Sequence, residues 1–129
     1  MAQKRYRCDE DILCGINTPA DMDSLTELEE KHLPVIDAPD KVNRGESFDM
    51  AVEVGGHRAH PNEPAHFIEW VEIYCGETFL GRISLSGSMS YPKFTMRLRL
   101  SRAHGPIKAR AKCNIHGLWE GTKDIEVSS

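Results

Sequence analysis

No stretch of the chain approaches the roughly 20 consecutive apolar residues that a membrane-crossing helix needs. Aromatic residues are few, at 7%, so a core must rest mainly on aliphatic side chains. Charge leans only slightly to one side: the formal net charge is −4, which offers no global electrostatic footprint for nucleic acid. The four cysteines include no Cys-x2-Cys pair, the usual unit of a tetrahedral sulfur site. Internal repeats and low-complexity tracts are also missing, and the basic start Met1–Cys8 holds no apolar signal core. What remains is a cytoplasmic globular protein of one domain, since 129 residues suffice for a core without cross-links. In a reducing compartment, burial or metal binding is expected of the cysteines before disulfides. Cys8 and Cys14, with five residues between them, read as structural, and Cys75 as a buried thiol at a strand end.

The pattern of apolar residues is mostly that of strands. Thr18-Pro19 predicts the start of a short helix over Ala20 to Glu30, with Met22, Leu25 and Leu28 spaced three apart. That helix would deliver Glu30, Lys31 and His32, and Pro34 then forces an extended exit. From Phe48 the period becomes two: Phe48, Met50, Val52 and Val54 alternate with polar or small residues. Phe67–Tyr74 reads as a strand on its β-branched and aromatic content, which puts His66 on one face with Ile68 and Trp70. Phe79–Leu85 and Phe94–Leu100 follow. Ile107, Ala109, Ala111 and Cys113 alternate with Lys108, Arg110 and Lys112, so Cys113 belongs to the inward face at a strand's end. Ile125 and Val127 suit a last short strand. The reading is all-β, six or seven short strands at the spacing of a β-sandwich. Residues 1–30 form an appended arm and 31–129 the domain.

Three segments carry the chemistry: Glu30-Lys31-His32-Leu33-Pro34, His60-Pro61-Asn62-Glu63-Pro64-Ala65-His66 and Cys113-Asn114-Ile115-His116-Gly117-Leu118-Trp119. They offer four imidazoles and a thiol. Zinc is content with four ligands. A blue-copper site would want a weak axial methionine beyond the last histidine, and none follows His116. Five nitrogen and sulfur donors suit iron best, with a sixth position left open to react. His57 and His104 fall outside the pattern and read as surface residues.

Together the three segments, in this order, resemble the signature of the superoxide reductases, the neelaredoxin and desulfoferrodoxin family. The resemblance spans about residues 25–127. It implies an immunoglobulin-like seven-stranded β-sandwich. It implies His32, His60, His66 and His116 as equatorial ligands of one iron per chain, and Cys113 as the axial thiolate. Glu30 becomes the mobile sixth ligand of the oxidised metal and Lys31 the cation beside the open position. Implied too are reduction of superoxide to hydrogen peroxide, an external donor such as rubredoxin, and a homotetramer. Cys8 and Cys14 do not supply the paired motifs of a rubredoxin-like domain, so the chain resembles the one-iron class.

Charge is unevenly placed. Residues 1–40 hold ten acidic and four basic side chains, whereas residues 93–112 hold seven basic ones and no acid. The basic run reads as a solvated face on two strands; the sharper alternative is a docking surface for an acidic electron donor.

Overall fold

A computed structural model describes residues 11–129; Cys8 lies outside them. Its elements, in chain order, are β1 (Ile16–Asn17), α1 (Glu27–His32), β2 (Pro34–Asp37), β3 (Lys41–Asn43), β4 (Ser47–Val54), β5 (Ile68–Cys75), β6 (Thr78–Ser84), β7 (Lys93–Arg99), β8 (Ile107–Cys113), β9 (Gly117–Lys123) and β10 (Glu126–Ser128). Seven of the strands among the described residues run four residues or more. One sheet has the order β1-β9-β8-β5-β6 and the facing one β2-β4-β7, while β10 and β3 pair separately.

Two-residue periodicity makes the sandwich. Met50, Val52 and Val54 of β4 point inward, as do Ile107, Ala109, Ala111 and Cys113 of β8. With Val71, Ile73 and Leu98 they form one core between the two sheets. Each large aliphatic side chain buried there contributes about 1.5–3 kcal/mol. Among the described residues no helix is long and apolar enough to cross a membrane.

Four features depart from the sequence reading. The helix starts at Glu27, not Ala20, and its N-cap is Thr26. The Thr26 hydroxyl accepts from the Glu29 backbone N–H, and the Glu29 carboxylate accepts from the Thr26 N–H, a complete capping box. Upstream, Asp21 commits its side chain to the Asp23 N–H at 2.9 Å, and its carbonyl accepts from Ser24. Such local bonding competes with helix.

The second departure is a β-bulge in β5 between Ile68 and Trp70. It flips the parity of the strand. Ile68, Val71 and Ile73 are buried, whereas Trp70 turns outward beneath the Arg82 guanidinium at 4.5 Å. Third, β9 has no apolar alternation to betray it. Its Gly121 sits where a Cβ would come 2.1 Å from the Pro34 carbonyl oxygen, so glycine permits β2 to pass close over β9.

Fourth, the basic run is not one surface. β7 and β8 lie in different sheets, so their charged faces point away from each other. Arg97 pairs with Asp49, Arg110 with Glu120 and Lys112 with Glu69. These partners leave two solvated faces on which three of the seven basic side chains are paired. Cys14 also corrects an expectation: it is disulfide-bonded, while Cys75 and Cys113 are free and buried.

Candidate metal centre

Three local devices bring the donor segments to one end of the sandwich. α1 ends in His32, which is 1% exposed, and the Leu33 N–H closes the helix on Glu29. The loop after β4 turns at Gly55, with φ of 77°. A Cβ there would meet the His60 backbone nitrogen at 2.8 Å and the Lys31 carbonyl oxygen at 3.0 Å, so the loop lies directly on the end of α1. Glu63 and His66 exchange backbone hydrogen bonds around Pro64, which sets His66 back toward His60.

The third device is Asn114. Its side-chain oxygen accepts from the Phe67 N–H at 3.0 Å, and its amide donates to the Ala65 carbonyl at 2.9 Å. The turn that follows Cys113 is thereby laced to the segment that carries His66. Trp119 completes the wall: its indole N–H donates to the His116 carbonyl at 2.9 Å, and its ring stacks on His32 at 5.1 Å.

The result is a cluster of donors. Ligand atoms of His32, His60, His66 and Cys113 all lie within 4.8 Å of one another. His116 joins it, with Nδ1 at 3.1 Å from His32 Nε2 and 3.7 Å from Cys113 Sγ. His57 and His104 are exposed and stand apart.

The protonation pattern shows what such a cluster is for. His32 Nδ1 meets the Leu28 carbonyl at 2.7 Å, and His60 Nδ1 meets the Pro61 carbonyl at 2.6 Å. A carbonyl only accepts, so both Nδ1 atoms carry the hydrogen and both Nε2 atoms are bare in the neutral rings. Those two bare nitrogens face each other at 3.2 Å. Burial pushes the pKa of His32 and of His60 down to about 4, with nearby histidines adding to the shift, so a proton does not bridge them at neutral pH. His66 Nε2 is buried with no hydrogen-bond partner among the described residues. Burial also pushes the Cys113 thiol up, while the Ile115 and His116 N–H groups pull it down. Converging lone pairs beside a thiol that a metal would deprotonate fit a transition-metal ion. The carbonyls on the far ring nitrogens are the outer partners that ligating histidines commonly have.

One side of the cluster is open. A cavity of about 470 Å³ is lined by Lys31, His32, Pro61, His66 and His116 together with the first turn of α1 and its cap, Thr26, Glu27 and Leu28. Lys31 pairs there with Glu27 at 3.0 Å. Glu30 does not line the cavity; its carboxylate pairs with Arg58 at 3.3 Å. Asn114 and Trp119 fall within the third segment, but spacing alone assigns neither side chain a task. Arg58 gave no signal, because its partner is 28 residues away.

Fold and site together define a class: a β-sandwich metalloprotein whose centre is built of imidazoles and a cysteine sulfur, with one face left accessible. The chain matches the desulfoferrodoxin family model over residues 24–122. It is 35% identical over 106 residues to the superoxide reductase of Pyrococcus horikoshii, an alignment covering 75% of this chain and 89% of that one. It is 31% identical over 113 residues to neelaredoxin of Megalodesulfovibrio gigas, covering 74% and 87% of the two chains. The solved superoxide reductase (neelaredoxin) of Ignicoccus hospitalis superposes with a TM-score of 0.75 at 36% identity, covering 88% of this chain and 95% of that one. The chain belongs to the desulfoferrodoxin family.

Proposed function

We propose that this chain is a superoxide reductase of the one-iron class. His32, His60, His66, His116 and Cys113 would hold one iron, and Glu30 would join them in the oxidised state. The observation that carries the reading is the set of converging bare nitrogens and sulfur beside a cavity edged by Lys31. Bound iron supplies the single electron that, with two protons, converts superoxide to hydrogen peroxide, and an external donor restores it.

The remaining work falls to the protein. The Cys113 sulfur is electron-rich and favours donation of that electron. Hydrogen bonds from the Ile115 and His116 N–H groups temper the sulfur. The carbonyls of Leu28 and Pro61 fix the tautomers of His32 and His60. Lys31 presents an ammonium at the cavity, which raises the local concentration of a small anion and steadies negative charge that develops there. The donor is a small redox protein such as rubredoxin, and the assembly is a homotetramer in the cytoplasm. An electron carrier built from the same ligands would need neither the cavity nor Lys31.

The test is metal analysis of the purified protein, with a visible spectrum taken before and after a pulse of superoxide. Iron near one per chain is expected, with a ferric thiolate band that grows as superoxide is consumed. Iron-loaded protein that leaves superoxide untouched would overturn the assignment.

A further inference from the structure

Glu30 and Arg58 form a tie whose ends sit in matching places. Glu30 lies two residues before His32 and Arg58 two residues before His60, the pair whose Nε2 atoms stand 3.2 Å apart. The tie is held from below. The Gly55 N–H donates to the Leu33 carbonyl at 3.3 Å, and the loop rests on the Lys31 carbonyl, so the start of the loop that carries Arg58 and His60 is docked on the end of α1. Arg58 also lowers the pKa of Glu27, after the larger effect of Lys31, so it serves both carboxylates on this face of the helix.

We infer that Arg58 is a positioning residue that holds the Glu30 carboxylate aside and so keeps the open face of the centre accessible to anions. The inference rests on the functional reading above, in which Glu30 is the protein's own ligand for that face. Glu30 then has two destinations, the guanidinium and the metal, and they exclude one another. Its absence from the cavity lining accords with the Arg58 pairing. The guanidinium suits this role: it stays charged at any working pH and offers several donors to one carboxylate. Because the Arg58 side chain is 51% exposed, the bias is small, about two- to fivefold in an equilibrium. That is enough to adjust access without closing it.

The experiment titrates azide into the oxidised, iron-loaded full chain and follows the visible spectrum, an equilibrium readout independent of turnover. Arg58→Gln should raise the apparent Kd for azide by about two- to fivefold, since the released Glu30 competes for the same face, and Arg58→Lys should recover most of the loss. In a Glu30→Gln background, Arg58→Gln should have no further effect. An unchanged or lower Kd in Arg58→Gln overturns the inference. So does a loss that persists in full in the Glu30→Gln background, because Arg58 would then act on the anion directly. Failure of the wild-type protein to take up iron would sink the functional reading and this inference with it; iron uptake with azide affinity indifferent to Arg58 sinks only the latter.

Discussion

In the proposed mechanism Cys113 and Lys31 have separable jobs, and single substitutions distinguish them. Cys113→Ser should abolish the thiolate absorption of the ferric protein, and survival of that band would mean that a different sulfur binds. Lys31→Ala should leave iron content unchanged and slow the reaction with superoxide by about tenfold, the low end of electrostatic steering; an unaltered rate constant removes Lys31 from the mechanism. Proton linkage gives a third prediction. In the metal-free protein His32 and His60 titrate at about 4, against 6.5 for an ordinary histidine, so the unfolded chain binds more protons between those values. Stability should therefore fall as pH is lowered from 6.5 toward 4, measured by urea unfolding at several pH values. A flat profile would mean that these rings are not buried in the neutral form. At this scale much of the site was legible, because donor residues advertise themselves by type and spacing. Glu30 and Arg58 show the limit: spacing placed Glu30 beside a ligand, but only the fold shows the guanidinium that claims its carboxylate.

Elements were legible where burial alternates and obscure where it does not. β4, β7 and β8 could be read from period-two patterns, which a two-sheet core imposes on strands with one buried face. β9 could not, since its role depends on Gly121 yielding space to Pro34, a contact between residues distant in sequence. Gly121→Ala should accordingly destabilise the fold by about 1–3 kcal/mol through overpacking, seen as a lower thermal midpoint; a neutral substitution would mean that β2 does not press on β9. The helix begins later than Thr18-Pro19 predicts because the turn at Asp21 occupies that segment, and Thr26 caps the helix that does form. Thr26→Ala should cost about 1 kcal/mol. Since α1 ends in a donor, the same change should weaken metal retention against a chelator. Retention equal to wild type would show that His32 is held by its surroundings rather than by the helix.

For the whole molecule, the fold class could be read from the sequence but the placement of strands could not. Whether two amphipathic strands share a sheet depends on long-range pairing, which periodicity does not encode; hence one basic run in sequence becomes two opposed faces in space. The same pairing makes the centre. Residues 32, 60, 66, 113 and 116 come from a helix end, a loop and the far end of a strand. They meet because β2 lies beside β4 and β8 beside β5. X-ray absorption at the iron edge of the loaded protein tests that convergence most directly. The account predicts one sulfur and four imidazole nitrogens around each iron, and a first shell of oxygen donors without sulfur would contradict it.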